Sequence, residues 1–201
     1  MSDKGTLAVY AAAAGEYAKR FARVAESDVD QFSDLAAFFE LLPDNGLVLD
    51  LGCGPGQWAA KIREAGYRVE GMDASPEMAA LAKERFDLDV TVGVFEDLDA
   101  SGVFDGIWAN FSLLHAPKAA MPEHLNRIHR ALKPSGAFHI GTKLGEGEDR
   151  DHLGRFYSYY QAEELTVLLE EAGFTVVRKR TGSAVGLAGS KDTFVILTAH
   201  G

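Results

Sequence analysis

Residues 48–56 decide the fold of this chain, and they read Val48-Leu49-Asp50-Leu51-Gly52-Cys53-Gly54-Pro55-Gly56. The apolar run that ends at Leu51 predicts a buried strand, and the sequence after the glycines predicts a helix over Trp58–Ala65. Glycines at every second position let the backbone approach a ligand where a Cβ would collide, and the helix beyond them begins with unpaired N–H groups. In an open α/β sheet, such a turn at the carboxyl end of a strand is where ligands bind. The stretch therefore predicts an α/β fold with a ligand site at this turn.

Strands and helices alternate along the central region. The predicted strands are Gly46–Leu51, Tyr67–Met72, Asp89–Val94, Phe104–Ala109 and Ala137–Thr142. The predicted helices between them are Trp58–Ala65, one capped by Ser75 with Pro76 as its first residue, and Pro122–Leu132. This alternation predicts a parallel sheet with helices on both faces.

The two ends of the chain have different patterns. Residues 1–42 carry apolar side chains at helical spacing and are predicted to form helices. Near the other end, a helix is predicted at Gln161–Ala172. Two strands follow, Phe174–Lys179 and Thr193–Thr198, joined by the Gly/Ala/Ser-rich connection Gly182–Ser190. Because no helical pattern separates these strands, we expect them to pair as a hairpin at the edge of the sheet.

The composition narrows the class of protein. With 201 residues, 47% of them hydrophobic and 25% charged, the chain suits one globular domain and is too short for two full ones. No apolar run approaches the roughly 18 residues of a membrane span, and the N-terminal stretch lacks a secretory cleavage signal. Cys53 is the single cysteine, which excludes an internal disulfide and a cysteine-rich metal site. We therefore expect a cytoplasmic protein, a monomer or homodimer, with no membrane partner.

The net charge of −10 argues against a nucleic-acid partner, because proteins that track nucleic acid usually carry a basic patch. The dense basic cluster Arg178-Lys179-Arg180 is interpreted as the solvated end of a strand. These features favour a small-molecule substrate.

The spacing of the glycines and two acidic residues narrow the ligand. The turn reads G-x-G-x-G, and Gln57 occupies the position where the dinucleotide pattern G-x-G-x-x-G has its third glycine. This argues against an NAD-linked oxidoreductase. Asp73 ends the second predicted strand, where a carboxylate can accept hydrogen bonds from both hydroxyls of a ribose. Asp50 lies at the end of the first strand, close to where an ammonium group could lie; the alternative is that it caps the turn.

Two stretches in sequence order resemble a known family. Leu49-Asp50-Leu51-Gly52-Cys53-Gly54-Pro55-Gly56 and Gly71-Met72-Asp73-Ala74-Ser75-Pro76-Glu77-Met78 resemble the class I S-adenosylmethionine-dependent methyltransferases of the small-molecule type. The resemblance continues through Phe104-Asp105-Gly106-Ile107-Trp108-Ala109 and Leu132-Lys133-Pro134-Ser135-Gly136, and so covers about residues 46–142. It implies a Rossmann-like three-layer sandwich with a seven-stranded, mostly parallel sheet and an antiparallel C-terminal strand.

We interpret the chain as a single methyltransferase domain in three parts. Residues 1–42 form an N-terminal helical cap, residues 46–142 the cofactor-binding core, and residues 143–201 a loop, a helix and a closing β-hairpin. The third part opens with the polar stretch Gly145–Arg155, which is predicted to be a mobile loop near the site.

The resemblance also implies a set of cofactor contacts: Asp50, Gly52, Cys53, Gly54, Asp73, Ala74, Met78, Phe95, Glu96 and Asn110. The turn through Gly54 would hold the methionine portion of S-adenosylmethionine, and Asn110 would face the same portion. Asp73 would bind the ribose, and Met78 and Phe95 would lie on either side of the adenine. The alternatives are that Met78 and Phe95 belong only to the core and that Cys53 only fills space in the turn.

This sequence departs from the family's pattern at Val94. Many relatives carry an aspartate there that reaches the adenine amino group. The resemblance implies that Glu96, Asp97 or the backbone takes that role here.

Three residues are candidates for the catalytic step: His115, Tyr17 and Tyr157. His115 lies in the loop beyond the fourth strand, where it could take a proton from the acceptor; the alternative is that it orients the loop by hydrogen bonding. Tyr17 and Tyr157, together with Tyr10, could line a lid over the substrate, although aromatic residues at helical spacing often form core. The other histidines are scattered, and we expect no metal site.

The predicted reaction is methyl transfer from S-adenosylmethionine to a small-molecule acceptor by in-line displacement. The sequence Asn110-Phe111-Ser112-Leu113 after the fourth strand differs from the N-P-P-Y type segment of DNA-modifying enzymes. Two alternatives stay open at this point: a protein that binds S-adenosylmethionine as a regulator or isomerase without methyl transfer, and an NAD-linked oxidoreductase. The acceptor atom stays open as well.

Overall fold

The computed structural model describes residues 3–27, 29–186 and 189–201, and the side chains of residues 3–15, 32–186 and 189–201. The helices are α1 (Lys4–Ser27), α2 (Val29–Phe39), α3 (Gln57–Glu64), α4 (Pro76–Phe86), α5 (Met121–Ala131) and α6 (Ala162–Glu171). The strands are β1 (Leu47–Leu51), β2 (Arg68–Asp73), β3 (Val90–Val92), β4 (Phe104–Asn110), β5 (Leu132–Lys143), β6 (Glu148–Arg150), β7 (Phe156–Ser158), β8 (Thr175–Val185) and β9 (Lys191–His200).

Seven strands form the main sheet in the order β3-β2-β1-β4-β5-β9-β8. The pairs among β1 to β5 are parallel, whereas β9 runs antiparallel to both β5 and β8. The predicted mostly parallel sheet with an antiparallel C-terminal strand is therefore confirmed. The strand order reverses between β1 and β4, and ligands in such sheets bind at this switch point, beyond the carboxyl ends of the strands.

Each face of the sheet buries its own apolar cluster. On one face Leu125 of α5 and Leu165 of α6 pack with Ile107 of β4. On the other face Phe38 of α2 and Trp58 of α3 lie in the cluster of Trp108. Helices on both faces make the three layers that the resemblance implied.

The start of α4 shows how local sequence positions the site. The Ser75 Oγ accepts a hydrogen bond from the Met78 N–H at 3.2 Å, and Pro76 occupies the first helical position. A serine cap followed by proline is favoured at helix starts. This begins α4 directly beyond β2, so Asp73 is held next to the helix N-terminus.

Helix α1 lies against α3 and α4, and its first turns are tied to the β6–β7 ribbon. Asp3 pairs with Arg150 at 2.7 Å, and the Phe156 N–H donates to Thr6 Oγ1 at 2.8 Å. Among the residues described, no helix has both the length and the apolar character needed to cross a bilayer.

The stretch Gly145–Arg155 is not the open loop that its polarity predicted. Residues Glu148–Arg150 form β6, which pairs antiparallel with β7, and Arg155 forms an ion pair with Asp151 at 2.6 Å. This strand was not predicted because three consecutive charged residues have no apolar alternation, and here the strand is specified by its partner and by ion pairs.

The closing hairpin is longer than predicted. β8 continues to Val185 and β9 begins at Lys191, so the first residues of the connection Gly182–Ser190 belong to a strand. A Cβ at Gly182 would lie 2.6 Å from Phe194 Cζ. Gly182 therefore makes room for the Phe194 ring within the strand. In the sequence alone, this glycine was interpreted as part of the connection.

Candidate active site

The glycine turn between β1 and α3 has left-handed backbone conformations. Gly52, Gly54 and Gly56 have φ values of +76°, +54° and +83°, a region that side chains strongly disfavour. A Cβ on Gly52 would overlap the Cβ of Ser112. The Gly52 N–H donates to the Met72 carbonyl at 2.7 Å, which fixes the turn against β2. The turn thus presents bare backbone at the carboxyl edge of the sheet.

Ser112 supports this turn from the loop after β4. Its hydroxyl donates to the Leu51 carbonyl at 2.6 Å. Sequence reasoning did not identify Ser112 as part of the site, because its contact with the turn joins residues that are 61 positions apart.

Asp73 joins the glycine turn to the start of α4. Its Oδ2 accepts from the Gly54 N–H at 2.7 Å, and its Oδ1 accepts from the Ser75 N–H at 2.9 Å. Burial raises the pKa of this carboxyl above its usual value despite the two hydrogen bonds. Each carboxylate oxygen has a further lone pair, so the group can accept hydroxyl hydrogens while it holds the turn.

Asp50 lies below the turn and is buried. Its Oδ2 accepts from the Ala59 N–H at 3.0 Å, which satisfies the N-terminus of α3 because the residue before that helix, Gly56, has no side chain to cap it. Burial, and to a smaller extent the charge of Asp73, raise the pKa of Asp50 to about 8. Asp50 therefore caps the helix that follows the turn, and among the described residues no cation pairs with its carboxyl.

Cys53 lies within the turn and is buried. Its sulfur fills the space over Gly71, where a Cβ would lie 3.1 Å from it. Burial raises the pKa of the thiol, so Cys53 contributes its backbone and its volume to the turn.

The residues expected near adenine flank β2 and β3. Met78 is buried in the first turn of α4, and Ala74 is partly exposed before it. Phe95 lies in a short 3₁₀ turn after β3 and contacts the His124 ring edge-on, with centroids 5.6 Å apart. These side chains lie at the carboxyl edge that also carries Asp73.

Two acidic residues follow Val94 in that 3₁₀ turn. The Asp97 Oδ2 accepts from the Val94 N–H at 2.9 Å, so this carboxylate stabilises the turn. The Glu96 carbonyl accepts from Arg127 at 3.0 Å. The Asp97 carboxylate, one of the two expected to reach the adenine amino group, therefore serves the turn itself.

Asn110 ends β4 beside Gly141 of β5. Its Oδ1 lies 3.2 Å from Nε2 of His139. A Cβ at Gly141 would lie 2.8 Å from the same oxygen, so glycine leaves room for the amide at this edge.

His115 has a protein partner at each ring nitrogen. Its Nδ1 lies 2.7 Å from the Phe156 carbonyl and its Nε2 lies 2.8 Å from the Tyr10 hydroxyl. A carbonyl oxygen only accepts, so Nδ1 carries the hydrogen and Nε2 accepts from Tyr10. Burial is the main cause that lowers the pKa of His115 to about 4, and the charge of Arg155 adds to it. His115 is therefore neutral at neutral pH.

Tyr10 connects His115 to an ion pair. Its hydroxyl accepts from Arg155 at 3.3 Å, and Arg155 donates to Asp151 Oδ2 at 2.6 Å. The Tyr157 ring lies beside that of His115, with centroids 4.7 Å apart, and a side-chain hydrogen bond links Tyr157 to Tyr10. The structure thus brings two predicted residues together with Tyr10, while the side chain of Tyr17 lies outside the described residues.

Phe111 follows Asn110 with a φ of +57°, a conformation that is rare for a bulky residue and that concentrates at functional sites. Its ring meets Phe194 edge-on at 5.6 Å. Phe194 pairs in register with Lys143, whose Nζ lies 3.9 Å from the centre of the Tyr157 ring. Sequence reasoning missed Phe111, Phe194 and Lys143, because neither a positive φ nor a cross-strand pair is visible in a single sequence.

A family model described as a methyltransferase domain matches residues 17–179. The chain belongs to the class I S-adenosylmethionine-dependent methyltransferases. A solved S-adenosylmethionine-dependent methyltransferase from Methanosarcina mazei has the same fold: its TM-score is 0.72 at 19% identity, over 82% of this chain and 96% of that one. The predicted family, fold and methyl donor are thereby confirmed.

Two further relatives of this methyltransferase are informative. An uncharacterized methyltransferase of Synechocystis sp. is 34% identical over 145 residues, which are 66% of this chain and 68% of that protein. The 1,6-didemethyltoxoflavin-N1-methyltransferase of Burkholderia thailandensis, solved with 1,6-didemethyltoxoflavin and S-adenosylhomocysteine, is 30% identical with a TM-score of 0.66. The structural match covers 92% of this chain and 89% of that enzyme. This chain also aligns with 64% of a Staphylococcus carnosus methyltransferase and with 40% of the cypemycin N-terminal methyltransferase of Streptomyces sp. It therefore covers less than two thirds of the length of each of these two proteins.

The residues at the carboxyl edge suit S-adenosylmethionine. The turn at Gly52 packs so closely against Ser112 that a Cβ would collide there, which leaves bare backbone at the carboxyl edge. The Asp73 carboxylate is placed for a ribose, and the Asp50 carboxyl, buried without a cation, suits the ammonium end of the ligand. The chemistry of these backbone and carboxyl groups therefore fits the methyl donor of the family.

The raised pKa of Asp50 predicts a pH-dependent affinity. A ligand with an ammonium group favours the ionised carboxyl. We therefore expect the affinity for S-adenosylhomocysteine to rise between pH 6.5 and 8.5, by at most about tenfold per pH unit. Calorimetry should show the rise, and Asp50→Asn should flatten it. 5′-Methylthioadenosine lacks the ammonium group and is the control ligand; an equal rise for both ligands would contradict the assignment.

The same pKa predicts the stability of the free protein. The pKa of Asp50 is about 4 in the unfolded chain and about 8 in the folded protein. Between these pH values, folding takes up a proton at the Asp50 carboxyl. This group therefore costs the protein stability progressively as the pH rises through that window, and Asp50→Asn should remove the loss.

Proposed function

We propose that this methyltransferase transfers a methyl group to a small, planar, aromatic acceptor. The observation that carries the proposal is a row of aromatic side chains near Asn110, with one lysine among them. Its members are Tyr10, Phe111, Lys143, Tyr157 and Phe194. Phe111 contacts Phe194, and the Lys143 ammonium lies over Tyr157, which is hydrogen-bonded to Tyr10. Lys143 and Phe194 occupy paired positions on neighbouring strands. Flat aromatic surfaces bind flat aromatic ligands by stacking and edge contacts. The relative named as a 1,6-didemethyltoxoflavin-N1-methyltransferase, which was solved with 1,6-didemethyltoxoflavin bound, supports a small-molecule acceptor.

In this proposal the two halves of the site have separate tasks. The backbone of Gly52 and Gly54 holds the methionine portion of the methyl donor, Asp73 holds the ribose, and Met78 and Phe95 hold the adenine. When bound, S-adenosylmethionine supplies a sulfonium methyl group that the acceptor nucleophile displaces in line with the departing sulfur. The aromatic row orients the acceptor toward Asn110, and α1 covers the site and excludes water.

His115 receives the proton that the acceptor loses. Its Nε2 lone pair accepts from Tyr10, and Tyr157 is hydrogen-bonded to Tyr10. A proton from an acceptor N–H or O–H therefore moves to the Tyr157 oxygen as the Tyr157 hydrogen moves to Tyr10 and the Tyr10 hydrogen moves to Nε2. A histidine whose pKa is about 4 is a weak base. It suffices because the acceptor becomes strongly acidic as it gains the methyl group.

The His115→Ala variant should turn over roughly 100-fold more slowly, within the usual range for a lost general base, with S-adenosylhomocysteine affinity changed by less than about twofold. Tyr10→Phe should have the same signature because it interrupts the same path. His129→Ala is the control, since His129 contacts Phe174 at the end of α5. Unchanged turnover in His115→Ala would leave this residue with the loop-orienting role alone.

The proposed function is tested by cofactor binding and an acceptor screen. Calorimetry should show that the wild type binds S-adenosylhomocysteine, and formation of this product should be fastest with heteroaromatic amines and phenols. Aliphatic amines, thiols and peptide N-termini form the comparison panel. Preference for any of these would contradict the planar acceptor. Binding without turnover of any acceptor would favour the regulator or isomerase alternative instead.

A further inference from the structure

His139 is a completely buried histidine on β5. Its ring stacks on Trp108, with centroids 3.4 Å apart and an interplanar angle of 12°, and the Phe38 ring lies edge-on to it at 6.4 Å. Nε2 lies 3.2 Å from the side-chain oxygen of Asn110. Within the described part of the chain, Nδ1 has no hydrogen-bond partner.

The unpartnered nitrogen makes this histidine unusual. Burial, with a contribution from the charge of Arg180, holds the pKa of His139 well below its usual value, so the ring is neutral and has one N–H. The Asn110 oxygen accepts, which places that hydrogen on Nε2 and leaves Nδ1 as a bare acceptor among aromatic rings. A buried acceptor without a donor is destabilising, and an apolar ring would fill the same volume without that penalty.

The partner of His139 lies at the functional edge. Asn110 is the last residue of β4, which adjoins β1 at the switch point of the sheet. Gly141 opposite it lacks the Cβ that would displace the amide oxygen. With that oxygen held by His139, the amide nitrogen on the same carbon is turned away from His139.

We propose that His139 is a positioning residue, which holds the Asn110 oxygen so that the Asn110 amide N–H groups face the carboxylate of the methionine portion of the methyl donor. This inference rests on the proposed function, because it assumes that S-adenosylmethionine lies at the carboxyl edge. The group that Asn110 recognises must be a hydrogen-bond acceptor, and the carboxylate is the strongest acceptor in that portion of the ligand.

The test compares two ligands that differ only in the amino-acid portion. S-Adenosylhomocysteine carries the carboxylate, and 5′-methylthioadenosine shares its adenosine and thioether without it. His139→Phe keeps the aromatic stack and removes the N–H, and it should weaken S-adenosylhomocysteine binding roughly 5- to 20-fold. This is less than the roughly 10- to 160-fold cost of losing a whole hydrogen bond to a charged group, because Asn110 itself remains. Its affinity for 5′-methylthioadenosine should change by less than about twofold.

Three further variants separate positioning from packing. Asn110→Ala should show the same ligand selectivity, and the double variant with His139→Phe should lose little more, because His139 acts through Asn110. His139→Gln, whose amide nitrogen occupies the place of Nε2, should recover most of the affinity.

Thermal stability gives a readout that distinguishes the two roles. His139→Phe removes the unpartnered Nδ1 acceptor but also the donor to the partly exposed Asn110 oxygen, so its melting temperature should stay close to that of the wild type. A lower melting temperature with equal losses for both ligands would show that His139 only packs the core and would overturn the inference. If the wild type bound neither ligand, the proposed function itself would be contradicted. If the wild type bound S-adenosylhomocysteine and His139→Phe bound it equally well, only the inference about His139 would be overturned.

Discussion

Gly52→Ala should lose S-adenosylhomocysteine binding by roughly 100-fold or more and lower the free energy of unfolding by about 2–4 kcal/mol, the range of an overpacked buried site with backbone strain. Gly52 has a φ of +76°, and a new Cβ would overlap Ser112. The turn must then shift, which breaks its hydrogen bonds to Met72 and moves the backbone that the proposal assigns to the methionine portion of the ligand. Calorimetry and chemical unfolding measure the two effects.

Two companion variants separate backbone strain from the clash. Gly66 also has a left-handed φ, +96°, but a Cβ there would meet nothing within 4 Å. Gly66→Ala should therefore cost only about 1 kcal/mol for its conformation and leave ligand binding intact. Ser112→Gly, combined with Gly52→Ala, removes the colliding atom and should restore part of the affinity. Equal effects of Gly52→Ala and Gly66→Ala would show that the close approach to Ser112 is unimportant.

Asp73→Ala should weaken S-adenosylhomocysteine and 5′-methylthioadenosine alike, by roughly 10- to 100-fold, since both ligands contain the ribose and a hydrogen bond to a charged group is worth about 1.5–3 kcal/mol. It should also destabilise the protein, because the Gly54 and Ser75 N–H groups lose their acceptor. Equal losses for the two ligands distinguish this residue from Asn110 and His139, which should affect only the ligand with a carboxylate.

Asp105→Ala is the matched control for the structural part of that loss. The Asp105 carboxylate accepts from the Leu47 N–H at 2.8 Å and pairs with Lys133, but it lies near the start of β4, away from the carboxyl edge. Its removal should destabilise the fold to a similar degree and leave ligand affinity unchanged. A similar loss of affinity in both variants would mean that Asp73 acts only by stabilising the protein.

The cofactor half of the site was predictable because its signals are local. The glycine turn, the Ser75-Pro76 start of α4 and Asp73 at the end of β2 all lie within one strand–helix–strand unit, and each residue has a conformational or hydrogen-bonding reason that a single sequence displays. The closing hairpin was predictable from the lack of a helix between two strand patterns. Only its length was wrong, because Gly182 makes room for Phe194.

The acceptor half depends on contacts between distant residues. Tyr10 and His115 are 105 positions apart, and the contact between Asn110 and His139 requires the register of β4 against β5, which periodicity alone does not specify. The β6 strand was missed because Glu148-Asp149-Arg150 has no apolar face. Sequence reasoning therefore identified His115 and Tyr157 as candidates but could not show that Tyr10 joins them.

The aromatic row that we propose binds the acceptor comes from separate parts of the chain: α1, the loop after β4, the end of β5, β7 and β9. The turn that holds the methyl donor comes from one continuous unit. Substitutions in the row can therefore accumulate one segment at a time without disturbing the donor site. This arrangement makes it easy for acceptor preference to diverge while the donor chemistry stays constant. The names of two relatives, a cypemycin N-terminal methyltransferase and a 1,6-didemethyltoxoflavin-N1-methyltransferase, are consistent with such divergence.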